Sequence, residues 1–331
     1  MHKTKVIISF DTEFSIGGAF QFPEKYTPLS DEIFSPTFQN QKIGFGNVLE
    51  ILNKNDVQCT FFVEPLQSYY FGHEKMGSYV KKLTDSKQDI QLHTHPCWGK
   101  FKHNKKVPEA ICPDDNFCQL SENTVREYLN YCLKVFNRWD VKSPTAIRTG
   151  NLEISRNLYK LLYEFDIKLS SSVGTALFMP VDSDMQFENF NKRFDSVLEV
   201  PITSFRSVGN RKKLLTITSV SFHEIKDVLE ACHKQGIEHV IILSHIHEFV
   251  KNKNFRFEQV RPNKVNSKRL EQLCSYVNQD ERFTFTTFGQ EIESNGFSVT
   301  DEQLDKRISS RAFSGLYTIL ENKANDKFWN Y

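Results

Sequence analysis

The sequence predicts an α/β fold built on a mainly parallel sheet, and three observations lead there. Short apolar runs alternate with segments of helical period along most of the chain. Four of those runs stop abruptly on charged or imidazole side chains, as strands do where a parallel sheet presents a site at its carboxyl edge. Three long connections, 12–40, 96–120 and 173–196, each follow a strand, and long loops in a compact domain are usually the walls or lids of a site, or else disordered. The pattern fits a barrel and a doubly wound sheet equally.

In chain order, strands are expected at 5–10, 58–63, 89–93, 145–148, 167–171, 197–200, 214–219, 239–244 and 282–286. Ser121 opens a helix that carries Val125, Leu129, Cys132, Leu133 and Phe136 on its inner face. Ser221 and Glu224 have the spacing of a capping box, and Ile225, Val228, Leu229 and Cys232 recur behind them at helical intervals. Asn266 or Ser267 opens a third helix, with Leu270, Leu273 and Val277 inside. Residues 300–322 carry a weaker stripe of Leu304, Ile308, Leu316 and Leu320, which predicts a helix packed on the outside of the domain.

Bulk properties exclude several classes. The 331 residues carry a formal net charge of +1, so no electrostatic footprint for nucleic acid exists. No apolar run approaches the ~20 residues that span a bilayer, and the opening Met1-His2-Lys3-Thr4-Lys5 enters a short strand rather than a signal-peptide core. Seven cysteines, an odd number without any Cys-x-x-Cys, argue against a disulfide framework and for a reducing cytoplasm.

The four strand ends hold the chemistry. Ile7-Ile8-Ser9-Phe10 runs into Asp11 and Glu13, which alternate onto one side of the strand. Two carboxylates there are costly unless they bind a cation or move protons. In Asp89–Trp98, His93 and His95 repeat that spacing and offer neutral imidazoles to a divalent metal, with Trp98 as an apolar wall. Ile147-Arg148-Thr149-Gly150-Asn151 ends on an arginine able to hold a carboxylate. Gly150 there permits positive φ or a close backbone approach, and Asn151 is a candidate cap for a helix at 153–165. The run Val240–Ser244 leads to His245, a candidate general acid, followed by His247 and Glu248. There is no glycine-rich phosphate loop and no Gly-x-Ser-x-Gly elbow, and Cys97, Cys112, Cys118 and His103 are irregularly spaced for a structural zinc site.

These strand ends, in this order, resemble the polysaccharide deacetylase family, the NodB-homology or carbohydrate esterase 4 domain. The resemblance extends over residues 4–290 and includes Cys59-Thr60-Phe61-Phe62-Val63 and Leu198-Glu199-Val200-Pro201. It implies a distorted (β/α)7-type barrel at 1–295, followed by a helical extension at 296–331. It also implies Asp11 as base, Arg148 as the residue that orients it, and His245 as general acid. One divalent metal would be held by Glu13, His93 and His95, zinc first, with cobalt, nickel or iron compatible. Gly150, Asn151 and Trp98 would meet the sugar. The chain departs from the family where Thr12 stands for an aspartate and Cys97 for a histidine. The His-x-His-Pro and Arg-x-Gly-Asn versions look like a bacterial branch linked to surface-polysaccharide and lipopolysaccharide biosynthesis. The implied activity is removal of an acetyl group from an amino sugar. A different amide hydrolase on the same barrel, allantoinase-like or a deformylase, and a carbohydrate-binding protein without catalysis are the alternatives.

Overall fold

A computed structural model describes residues 3–106, 115–299 and 307–327. Its main sheet contains β1 (Thr4–Thr12), β2 (Thr60–Val63), β3 (Asp89–Thr94), β4 (Ala146–Thr149), β5 (Leu169–Ser170), β6 (Lys192–Phe194), β7 (Val197–Glu199), β8 (His239–His245) and β9 (Phe283–Phe285). The strand order is β8-β1-β2-β3-β4-β5-β7-β6, with β9 beside the start of β1. Every pairing is parallel except β6 with β7. Parallel strands covered on both faces read as unbroken apolar runs, and Val6, Ile7, Ile8, Val240, Ile241 and Ile242 are all buried.

The expected strands at 5–10, 58–63, 89–93, 145–148 and 239–244 match β1 to β4 and β8 to within two residues at each end. The one predicted at 214–219 is displaced. Arg211–Leu214 pairs antiparallel with Ser204–Ser207, and Thr216 makes a single bridge to Leu243. Among the described residues the ladder does not close into a barrel. Irregular backbone spans the gap instead, through Ile202 N–H to the Val173 carbonyl (3.0 Å) and Thr203 N–H to the Ile241 carbonyl (3.2 Å).

Around the sheet lie α1 (Phe45–Lys54), α2 (His73–Asp85), α3 (Glu122–Arg138), α4 (Arg156–Glu164), α5 (Phe222–Lys234), α6 (Lys264–Gln279) and, after a short turn of helix at Phe288–Glu293, α7 (Ala312–Lys327). Ser121 caps α3 through Thr124 N–H. Ser221 caps α5, but Glu224 does not complete the box; its carboxylate turns to Ser207, Ser310 and Lys213. Asn263, not Asn266 or Ser267, caps α6. Asn151 caps nothing: α4 begins later, behind Ser155.

The C-terminal stripe is inverted relative to expectation. Leu304 lies outside the described residues. Ile308 is buried in an extended segment whose carbonyl accepts from Arg206 N–H, so the helix starts only at Ala312. Leu316 and Leu320 face outward, while Ser314, Gly315 and Thr318 are buried. Close approach selects small residues there: Thr318 Oγ1 lies 2.7 Å from Ser221 Oγ, and a Cβ on Gly315 would stand 2.9 Å from Ser207 Oγ. No helix among the described residues is long and apolar enough to cross a membrane.

Candidate active site and metal centre

Strand register assembles the site. In the ladder Asp11 stands opposite His245 on β8, and His93 stands opposite Arg148 on β4. Two strands separate β1 from β4, about 14 Å in a flat sheet at ~4.8 Å per strand. The Arg148 Nη1–Asp11 Oδ1 distance is nonetheless 2.8 Å. The sheet therefore curls, and the arginine crosses its interior with its guanidinium over the Phe62 ring, 4.3 Å from the centroid.

Arg148 has no exposed surface. Its Nε donates to the Ser171 carbonyl (3.0 Å) and Nη2 to Ser171 Oγ (3.2 Å), so the fork is fixed from the far side. Asp11 is buried as well. Burial alone would raise its pKa, but Arg148, then His93 and His245, outweigh that and hold it below the ordinary carboxylate value. Its free oxygen, Oδ2, lies 3.7 Å from His245 Nε2.

His245 is oriented from behind by a residue to which sequence reasoning gave no role. Glu248 Oε1 lies 3.1 Å from His245 Nδ1, and Oε2 accepts the His245 backbone N–H (3.1 Å) and the Ser244 hydroxyl (2.7 Å). Burial disfavours the imidazolium, yet Glu248 and Asp11 raise the His245 pKa to about 9. At neutral pH the pair is thus a carboxylate facing an imidazolium. The i, i+3 spacing of a capping box was the available signal for Glu248.

Glu13, His93 and His95 come together as the sequence predicts. One ligand atom from each lies within 4.8 Å of the others. Glu13 Oε2 is 3.1 Å from His95 Nε2 and 3.8 Å from His93 Nε2. His93 lies 2.8 Å through Nδ1 from the Arg148 carbonyl, which fixes the proton on that nitrogen and leaves the Nε2 lone pair free. That Nε2 is buried and has no hydrogen-bond partner among the described residues. An orphaned, buried imidazole nitrogen beside a second imidazole and a carboxylate fits a divalent metal, which such a donor set suits. Thr12 does not take part; its hydroxyl donates to the Phe10 carbonyl (3.0 Å) on the other side of the strand. Burial lowers the His95 pKa, but Glu13 and Asp115 outweigh it and raise it to about 10. The cluster thus already favours one positive charge.

Two expectations need correction. Trp98 is not a wall of the site: it is 1% exposed, packed edge-on against Phe71 and tilted against Phe101, because the Pro96–Phe101 turn folds the indole into the core. Gly150 does not have positive φ; that conformation falls on Asn151 (φ 55°) and Leu152 (φ 58°). The requirement at Gly150 is space. A Cβ there would stand 2.4 Å from Cε1 and Nδ1 of His95. Gly150→Ala is therefore expected to push the imidazole aside, and a crystal structure with an unmoved His95 ring would contradict this. Asn151 is exposed. Glu64 and Asp115, both against His95, were not anticipated. Glu64 had a readable signal, since it too ends an apolar strand, Thr60–Val63; Asp115 lies in a loop without periodicity.

This fold is shared with known proteins. A candidate polysaccharide deacetylase from Mycobacterium smegmatis superposes with a TM-score of 0.54 at 13% identity, covering 90% of this chain and 94% of that one. A 4-alpha-glucanotransferase from Thermococcus litoralis gives a TM-score of 0.54 at 10% identity, covering 94% of this chain and 42% of the longer enzyme. The chain thus has the distorted α/β barrel-like fold found in polysaccharide deacetylases, which the order of its strand-end motifs resembles. No family model matches the sequence, and no curated protein matches it.

Proposed function

We propose that this protein is a metal-dependent deacetylase acting on an N-acetylated sugar of a surface polysaccharide or its precursor. One observation carries the reading: the carboxylate–imidazolium pair of Asp11 and His245 adjoins the Glu13, His93 and His95 cluster, where the buried His93 Nε2 has no hydrogen-bond partner among the described residues. A divalent metal, zinc first, would polarise the acetyl carbonyl and acidify a water. Asp11, ionised and held by Arg148, accepts the proton of the attacking water. His245, already cationic, delivers its proton to the departing amine, with Glu248 steadying the imidazolium. In this reading Asn151, exposed just after β4, would meet the sugar, while Gly150, buried against the His95 ring, would shape the site from behind. Cys59, Cys97, Cys132, Cys232 and Cys274 are free thiols, which supports a reducing compartment such as the cytoplasm.

The test is release of acetate from N-acetylated sugars and oligosaccharides by protein of known metal content. Activity that follows one bound metal, with both lost in His93→Ala, is the expected result. Full activity in metal-free protein would overturn the reading, and sugar binding without acetate release would favour a binding protein.

The acid also sets a pH limb. The groups facing His245 are Glu248, Asp11, Glu13 and His247, and their net effect raises its pKa to about 9. The rate is therefore expected to fall as pH rises through about 9, because the required form is the protonated one. In Glu248→Gln that limb should move down toward the ordinary histidine value of about 6.5. A pH–rate profile that is flat to pH 10, or unmoved in Glu248→Gln, would count against His245 as the acid.

A further inference from the structure

His95 is gripped on three sides by groups outside the proposed ligand set. Its backbone N–H donates to Glu64, a fully buried carboxylate that also accepts the Leu66 N–H at 2.6 Å. The imidazole packs against Gly150, where no Cβ fits. With the main chain fixed and one face walled, rotation of the ring is the freedom that remains. Asp115 removes it: Oδ2 lies 2.5 Å from His95 Nδ1, and Oδ1 accepts the Cys97 backbone N–H at 3.0 Å. This second contact ties the aspartate to the same turn that carries the histidine.

We infer that Asp115 is a positioning residue that fixes the His95 ring with Nε2 toward Glu13 and His93. The inference rests on the metal reading of that cluster. A carboxylate on the remote nitrogen of a ligating histidine sets its tautomer and increases its basicity, and losing such a partner typically weakens metal binding 10- to 100-fold. His93 has the neutral version of this arrangement, with the Arg148 carbonyl on Nδ1. The two ligand histidines are therefore held differently: one by the sheet itself, the other by a loop carboxylate delivered from beyond the turn after β3. Asp115 does not contact Asp11 or His245 through any hydrogen bond of the described residues, so its effect runs through His95.

The experiment is Zn²⁺ affinity by chelator competition on the full chain, for wild type, Asp115→Asn and Asp115→Ala. Alongside it, NMR follows the His95 Nδ1–H in zinc-free protein, and unfolding midpoints are recorded. Wild type should bind one Zn²⁺ and show a slowly exchanging Nδ1–H. Asp115→Ala should weaken Zn²⁺ roughly 10- to 100-fold and lose the proton signal. Asp115→Asn, which keeps an acceptor but no charge, should fall between. Unchanged affinity in Asp115→Ala with a lowered midpoint would make the residue merely structural and overturn the inference. A second Zn²⁺ lost in Cys97→Ser would overturn it too, by making Asp115 a ligand with His95 Nδ1 and Cys97. Wild type that binds no Zn²⁺ but shows an Asp115-dependent Nδ1–H would sink the metal reading and leave the positioning role standing.

Discussion

Asp11→Asn is expected to reduce acetate release by about 10²- to 10⁴-fold, the range for a positioned general base. The amide is close to isosteric, so Arg148 keeps an oxygen acceptor and the fold should persist, while the proton acceptor is gone. The loss should fall on kcat, because Asp11 is needed when the water is deprotonated rather than when the sugar binds. Metal content should be close to that of the wild type, since Glu13, His93 and His95 form a separate cluster. Acetate release within threefold of wild type would remove Asp11 from the role of base. Loss of bound metal together with activity would instead place Asp11 among the ligands.

Arg148→Met should give the largest stability loss. Both charges of the Arg148–Asp11 pair are buried, with side-chain exposures of 0% and 5%. Removing one partner of such a pair costs about 3–5 kcal/mol because the other charge is left uncompensated. Here the Ser171 carbonyl and hydroxyl lose their donors too. Denaturant unfolding at pH 7 measures the effect, and a change below about 1 kcal/mol would mean that the interior admits water. The double variant Asp11→Asn/Arg148→Met should be less destabilised than the sum of the two single variants, since neither charge then remains.

The same pair gives a pH dependence of stability with a definite sign. Asp11 has a folded-state pKa below its unfolded value. Its contribution is therefore fully present above the unfolded value of about 4, and it is lost as pH falls through the lower folded value. In Arg148→Met the largest charge opposing burial at Asp11 is gone, so its pKa should rise and this contribution should shrink.

Much of the site was legible because strand ends and alternation are local. Asp11 and Glu13, and His93 and His95, share a side by the two-residue repeat alone, and the first pair follows the apolar, β-branched run Val6-Ile7-Ile8. Trp98 was misread because indole next to a histidine motif has the same composition whether it lines a sugar site or fills a core. The turn at Pro96–Phe101 decides between them. The C-terminal stripe misled for a related reason: periodicity marks an apolar face, while close helix contact chose Ser314, Gly315 and Thr318.

The sequence by itself pointed to the α/β class and to the strands that end in chemistry, and its family resemblance added the candidate base, acid, arginine and ligands. Tertiary structure alone decided what joins them. Arg148 reaches Asp11 because the sheet curls, Asp115 reaches His95 across a loop, and Glu64 holds the His95 backbone from a neighbouring strand end. The physical reason is range. Alternation and capping act over a few residues and are written in the local pattern. A buried charge is satisfied by whichever partner the packed chain brings within about 3 Å, and between Asp11 and Arg148 that partner lies 137 residues away.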